Sequence, residues 1–575
     1  MAKLSNFFYR HDLAICLIWL VLLEFLVFGN ITRNSGFYLD DWSMLKIFYF
    51  GPQEFFAMAK NYLLEWPLIT LRPVQAPFHA ALYCLFGMAP FGYHFTAACM
   101  DVVAFLLFYL ILRDLFGRKD LALIAASIAL IDPRHDTNHN WVLCVSVALS
   151  QMLTLLSIYM AVLAARKNNT VLKFLSVIPF AIMTWNYELF LPVAVINAAI
   201  LCRNADGRSF NIGKFFLWGA YYALPVAMLL GFQKFILPML VTPTIHQIIF
   251  DPAEIISTII DGVLIQLSPF SFGNLYSYIA LNAADLFNRA HLISLSVSAS
   301  VLALLVMAFN DGGENAASSS SSSLASSSSS SSRASTPFTT KQFAVVALCG
   351  LVTIVLAYSL FGLNKEYHPA IATIYNRVNT GGSWGGAIVL AASMVWLSGL
   401  IKRQVLSAMF LATLACVLVS FYGCVCWCFD KPWIASWITQ KNVQSVMKEN
   451  VSQLAPASSV LLLNCPRYVN WSPVFDGVWD FERMVQITSN DKSMKGSVIS
   501  DRLVLTRDKV SDIAHSYVAG VFPLESTFLL QPDKRTLTKV ESASSFIDMV
   551  ERDGMKFGLP SATIAKWRQG LQSAK

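Results

Sequence analysis

The chain has 575 residues, 56% of them hydrophobic and only 13% charged, against roughly 45–50% apolar and about 25% charged in soluble domains. With a mean hydropathy of +0.55, this excludes a water-soluble enzyme, a disordered chain and a disulfide scaffold, and leaves a membrane protein with several spans. The net charge of +7 is spread over many loops, which argues against a nucleic-acid partner.

In chain order, Lys3 and Arg10 precede an apolar run at 13–28. It ends in Val27-Phe28-Gly29-Asn30 with no small-x-small cleavage pattern, so it reads as a retained first anchor. Further apolar runs follow at 90–115, 121–133, 141–165, 171–184, 188–202, 215–238, 290–309, 342–362, 382–400 and 404–428. The expectation is therefore an all-α polytopic membrane protein of about eleven transmembrane helices. The runs at 121–133 and 171–184 are short enough to be re-entrant instead. The spans read as largely free of central charges.

Short loops with paired cations alternate with longer, more mixed ones. Lys3 and Arg10, Arg118 and Lys119, Arg166 and Lys167, Arg203 and Arg208, and Lys402 and Arg403 mark the first set, as cytoplasmic loops should. An odd span count then puts the N-terminus inside and the tail outside. Residues 1–310 form an N-terminal transmembrane catalytic module with a first outer loop at 30–75, and 311–340 a Ser-rich cytoplasmic linker. Residues 341–429 complete the spans, and 430–575 read as a small mixed α/β soluble domain on the outer face. Most of the 11 cysteines lie in apolar runs and behave as small hydrophobes. Cys424, Cys426 and Cys428 lack zinc-site spacing.

The first outer loop carries the densest chemistry. In Tyr38-Leu39-Asp40-Asp41-Trp42, two adjacent carboxylates repel, so one pKa should rise, and the pair is either a general base or a helix cap. The loop ends in Leu71-Arg72-Pro73-Val74-Gln75-Ala76-Pro77-Phe78-His79. Pro73 suits a first helical turn, which puts Arg72, Gln75 and His79 on one face, either to hold a lipid phosphate or to anchor at the interface.

These features resemble the membrane-embedded GT-C glycosyltransferases, the superfamily of protein O-mannosyltransferases and the lipid A aminoarabinose transferase. An order of motifs carries the resemblance. A first span is followed by the acidic pair, Arg72-Pro73, and Gly87-Met88-Ala89-Pro90 with His94. Then come Asp132-Pro133-Arg134-His135, Tyr187-Glu188 and Tyr375-Asn376-Arg377-Val378-Asn379. The resemblance covers about residues 1–200 well and 342–430 more weakly.

It implies a GT-C-like fold and transfer of a sugar from a polyprenyl-phosphate carrier to a lipid, glycan or protein hydroxyl on the outer or lumenal face. Asp40 matches the family's first-loop catalytic acid, and Asp41 stands where a Glu is common. A phosphate leaving group needs no general acid, so one carboxylate base suffices, unlike in glycosidases. Cations must meet the departing phosphate: Arg377 and Lys365, with Arg72 and His79 in support. Glu188, beside Tyr187 at the outer edge of a span, would orient Arg377, bind the sugar, or simply lie just outside the hydrocarbon, where an acid costs little. His135 and His139, four apart with Asp136 between, fit a zinc geometry, a phosphate or acceptor contact, or a plain loop.

No cofactor is required by this reading, and a divalent metal stays open. Membrane lipids are expected partners. The expected location is a bacterial inner membrane with the site facing the periplasm, or an endoplasmic reticulum membrane in a eukaryote. The tail aromatics Tyr468, Trp471, Phe475, Trp479 and Phe481 read as domain core rather than as a sugar-stacking surface. The alternatives are a polymerase or ligase of polyprenyl-diphosphate glycans and, behind it, a transporter or flippase, which should show repeated halves and midplane charges.

Overall fold

The computed structural model describes residues 7–8, 10–202, 210–240, 251–286, 288–319, 338–363, 367–514, 517–553 and 560–573. Helix α1 (Asp12–Asn34) comes first. The first loop folds mainly into the short helices α2 (Asp40–Phe50), α3 (Phe55–Glu65) and α4 (Gln75–Phe86), with a single further turn at Pro67–Thr70. Pro90 opens α5 (Pro90–Phe116) at a position where its missing N–H costs nothing, and Gly117 closes it at φ +70°. Then follow α6 (Lys119–Leu130), α7 (Val145–Lys167), α8 (Val177–Asn186), α9 (Ala194–Leu201) and α10 (Ile212–Gly231). The bundle is completed by α11 (Pro252–Leu267), α12 (Pro269–Leu281), α13 (Arg289–Ser319), α14 (Thr340–Ser359), α15 (Thr380–Gly399) and α16 (Gln404–Asn450).

Eight of these helices, α1, α5, α7, α10, α13, α14, α15 and α16, are long and apolar enough to cross a membrane. They coincide with eight of the eleven predicted runs, so the chain is an integral multi-pass membrane protein. The other three runs form shorter helices. All of 120–130 in α6 is buried, and its 12 residues rise only about 18 Å, well short of the roughly 30 Å hydrocarbon core. The chain then turns inside the bundle. Arg134, fully buried, meets Asp132 at 2.7 Å and donates to the carbonyls of Ile265 and Gln266. Irregular backbone is stable at that depth because protein groups satisfy it. The pair α11 and α12, which meet at a bend of 54°, was not anticipated from the sequence.

Two central charges also correct the sequence reading. Glu24 in α1 and Asp101 in α5 are 5% and 3% exposed, on either side of His139, whose Nδ1 lies 3.8 and 3.7 Å from their oxygens. Elsewhere the packing is apolar and close. A Cβ on Gly385 of α15 would sit 2.4 Å from the carbonyl oxygen of Gly350 in α14, so the two backbones approach where only glycine fits.

The cationic loops gather at one end of the bundle. Asp12 meets Arg113 at 3.0 Å and Lys119 at 3.2 Å, Arg166 meets Asp114 at 2.7 Å, and Arg118 stacks on Phe338 near Gly399. Arg203 and Arg208 lie outside the described residues. The opposite end carries the first loop and the tail. There α16 does not stop at 429, where composition changes, but runs on as one helix to Asn450.

The tail builds a four-stranded sheet in the order β4 (Lys495–Val498), β1 (Ser459–Leu462), β8 (Thr527–Gln531), β9 (Thr536–Lys539), with β1 parallel to β4 and β8. Alternate residues of β1 face opposite ways. Val460 and Leu462 pack with Met484 and Val485 toward the first-loop helices, and Leu461 and Leu463 with Phe546 and Ile547 on the far side. A second sheet, β5 (Leu503–Leu505), β6 (Lys509–Ala514) and β7 (Tyr517–Pro523), is antiparallel, as is the short pair β2 (Tyr468–Val469) and β3 (Ser472–Pro473). This is the expected mixed α/β domain. Phe475 and Phe481 are core, as read from the sequence; Trp471 instead packs edge-on against Tyr278 and Phe429 of the helix bundle.

Candidate active site

The first loop is tied to the bundle around Tyr38. Its hydroxyl donates to the carbonyl of Trp433 at 2.7 Å, and its own carbonyl accepts from Trp141 Nε1 at 3.1 Å. Gly36 lies so close to Trp437 that a Cβ would be 1.9 Å from the ring. Trp42 Nε1 donates to Gln440 at 2.9 Å, and Ser43 Oγ to the carbonyl of Trp479 at 2.6 Å. Leu39, just before the acidic pair, is held at φ +47°, a costly conformation for a branched side chain that persists only where its surroundings enforce it.

The two carboxylates have different surroundings. Asp41 is fully buried and accepts from the backbone N–H of Tyr38 at 2.8 Å and of Leu143 at 3.0 Å, one on each oxygen. Burial pushes its ionisation upward while those donors pull against the rise. Asp41 is thus a staple between the first loop and the segment after α6. Asp40 is only partly buried, and its carboxylate makes no hydrogen bond or ion pair among the described residues. Desolvation pushes its pKa up to about 6, against the attraction of Arg377.

Arg377, whose charge is felt at Asp40, is set among aromatic side chains. Its guanidinium lies over Trp141 at 5.2 Å, Tyr375 at 5.6 Å and Tyr367 at 5.9 Å, donates from Nε to the Tyr187 hydroxyl at 3.2 Å, and donates to the Ile374 carbonyl at 2.8 Å. No carboxylate pairs with it among the described residues. Arg72 lies on the other side of the same tyrosine, 4.0 Å over the Tyr187 ring, and its fork is closed on both oxygens of Glu188. Tyr187 therefore joins two arginines, one neutralised by Glu188 and one with its charge open to the site.

Asp40, Arg72, Tyr187, Glu188 and Arg377 are brought together. Three histidines are set apart. His79 is 1% exposed, bonded through Nδ1 to Tyr62 at 3.2 Å and through Nε2 to Ser146 at 2.8 Å, and burial depresses its pKa to about 3; it is a neutral packing group, whereas Gln75 of the same helix reaches the Asn186 carbonyl. His135 bonds the carbonyl of Ala129 at 3.3 Å, and His139 stacks on Phe28. Their rings are 6.1 Å apart. Among the described residues no group of three His, Cys, Asp or Glu side chains is arranged to hold a metal ion. Lys365 lies outside the described residues.

The segment 132–140 instead forms the bed of the Arg377 turn. Asn376 bonds Asp136 and accepts from Thr137, while Asn379 donates to the Arg134 carbonyl at 2.7 Å and accepts from Tyr358 at 2.8 Å. Sequence reasoning missed this role of Asn376 and Asn379, and missed Trp141, Tyr367 and Tyr375 as the aromatic setting of Arg377. The run Tyr375-Asn376-Arg377-Val378-Asn379 was a signal for the turn, since asparagines flanking a cation before a span need buried partners.

No protein-family model matches the chain, and no curated protein is significantly similar to it in sequence. Among solved structures it is similar to ArnT from Cupriavidus metallidurans in the apo state, with a TM-score of 0.36 and 10% identity over 82% of this chain and 84% of that one. It is similar also to ArnT from Cupriavidus metallidurans bound to undecaprenyl phosphate, with a TM-score of 0.34 and 11% identity over 83% and 85%.

Proposed function

We propose that the chain is a GT-C-type membrane glycosyltransferase that takes a sugar from a polyprenyl-phosphate donor and passes it to an acceptor hydroxyl, with Asp40 as general base. The observation that carries this reading is the contrast within the acidic pair: Asp41 has both oxygens engaged by backbone, while Asp40 keeps its carboxylate open to the pull of Arg377. A base with a pKa of about 6 is mostly ionised at neutral pH yet basic enough to take a proton as the nucleophile attacks.

In the proposed reaction the acceptor hydroxyl gives its proton to Asp40 while its oxygen bonds the anomeric carbon. The bond from that carbon to the phosphate oxygen breaks, and its electron pair leaves with the phosphate. Arg377 meets the growing negative charge in a low-dielectric setting. Arg72 and Glu188 fix the Tyr187 ring and hold the Arg377 side chain at one angle. Attack opposite the leaving group inverts the anomeric centre. In this reading the active face is the end bearing the first loop and tail, and the paired cations in the short loops of the opposite end support an outer position for it.

The test is donor consumption with a labelled polyprenyl-phosphate sugar and an acceptor mixture, in purified full-length protein. Asp40→Asn should remove at least about a hundredfold of the rate, the range of a lost general base. Full activity in that variant would refute the assignment.

A further inference from the structure

The bundle also buries a set of ionisable side chains that the proposed reaction does not use. Glu24 of α1 and Asp101 of α5 lie at 3.8 and 3.7 Å from Nδ1 of His139, distances too long for hydrogen bonds. Both oxygens of Glu24, Oδ2 of Asp101 and Nε2 of His139 are buried with no hydrogen-bond partner among the described residues. The other Asp101 oxygen accepts from Nε2 of Gln151 in α7 at 3.1 Å, and the amide oxygen of Gln151 is itself buried and unpartnered. Acceptors thus outnumber donors at this point in the bundle. Bound protons make good that deficit, because a protonated carboxyl or imidazole is a donor.

The groups packed around the two acids do not offset them. Among the described residues neither forms an ion pair with a Lys or Arg. Asp430 of α16 adds repulsion at Glu24, and the nearby Cys99 thiol brings no positive charge. Asp136, three residues before His139, is engaged by Asn376 and Asn140. His94 turns its two nitrogens to the carbonyls of His139 and Gly36, at 3.1 and 3.2 Å, and His135 turns Nε2 to that of Ala129, so neither donates to the carboxylates. His139 is the group placed to balance them. Desolvation favours its neutral ring. Against that, an ionised carboxylate at 3.7 Å and the Phe28 face on which the ring stacks at 3.7 Å favour an imidazolium, and imidazole is a stronger base than a carboxylate. One imidazolium beside two ionised acids still leaves a net charge, which a low-dielectric interior resists. Two protons shared over the three groups leave none.

We propose that Glu24, Asp101 and His139 form a proton-binding site inside the bundle, holding two protons at neutral pH: one on the His139 ring and one shared between the two carboxyls. The site joins α1 and α5 to the 132–140 segment. It also lies beside the anchor of the first loop, since His94 bridges the His139 carbonyl to that of Gly36. The inference rests on these contacts alone and stands or falls independently of the transfer reaction.

The experiment is infrared spectroscopy of the full-length protein in detergent at neutral pH. It reads the C=O stretch of protonated carboxyl groups as difference spectra between wild type and variants at matched folded concentration. Glu24→Gln and Asp101→Asn should each remove the same band, about one carboxyl group per molecule, because the acid that is left ionises against His139. The double variant should remove no more. His139→Phe, which keeps an aromatic ring against Phe28, should instead raise the band by about one carboxyl group, since both acids must then hold protons. Should one amide variant fail to fold, the other carries the prediction together with His139→Phe. Losses that add between the two amide variants would mean two independently protonated acids beside a neutral His139, and no loss in either would mean two ionised acids; each overturns the proposal. Loss of the wild-type band on adding sodium or calcium at constant pH would make this a cation site and overturn it too.

Discussion

Two neighbouring aspartates separate into a chemical group and a structural one by their hydrogen bonds. Asp40→Asn should leave folding intact and abolish transfer. Asp41→Asn puts an amide N–H₂ against a backbone N–H and should cost about 1–3 kcal/mol of stability, read as a lowered midpoint in thermal unfolding of the detergent-solubilised protein. The pH profile gives an independent check. Asp40 acts as a base only when ionised, so the rate at saturating donor should fall as pH drops through about 6. A flat profile down to pH 5 would contradict the assignment. Tyr187→Phe removes the hydroxyl that Arg377 bonds at 3.2 Å and should lower the rate about tenfold while the ring still stacks on Arg72. The acidic pair itself was legible in the sequence, but which member is free was not. Asp41 owes one of its partners to Leu143, 102 positions away, and no local pattern announces such a contact. His79 misled for the same reason: its helical face agrees with Arg72, yet its ring is claimed by Tyr62 and Ser146.

Among the helices, length decided what could be read. The eight long spans stand out because twenty or so apolar residues in succession have few other uses. Helix α6 carries the same composition over 12 residues, and composition alone does not reveal that the chain turns at Asp132 inside the bundle. The turn depends on the Asp132–Arg134 pair and on carbonyls from α11, a helix whose own signal is diluted by Ser257, Asp261 and Gln266. Removing one partner of so deeply buried a pair is severe; Arg134→Met should strip Asp132 of its guanidinium partner and lower stability by about 3–5 kcal/mol. It should also slacken the Arg377 turn through Asn379, which bonds the Arg134 carbonyl. The α14–α15 contact is tested separately by Gly385→Ala. Its new methyl has no room against the Gly350 carbonyl and should cost about 1–3 kcal/mol by overpacking.

At the scale of the whole molecule, one long helix connects the chemistry to the tail. Helix α16 carries the chain from the cationic end, past Tyr38 and Trp42, into the α/β domain, and so the domain sits over the first loop rather than apart from it. The charge pattern of the loops foretold which ends share a side, and the Asp12, Arg113, Lys119 and Arg166 pairs gather as that pattern requires. With the exposed thiols Cys84, Cys99 and Cys349 replaced by serine, a cysteine at Lys509 should react with a membrane-impermeant maleimide in intact cells, and one at Lys402 only after permeabilisation. The reverse pattern would invert the orientation. The most direct test of the central claim is the rate of sugar transfer from a labelled polyprenyl-phosphate donor, measured side by side for wild type, Asp40→Asn and Asp41→Asn at matched folded concentration. The account predicts that Asp40→Asn is silent while the folded fraction of Asp41→Asn still turns over; a silent Asp41→Asn beside an active Asp40→Asn would contradict it.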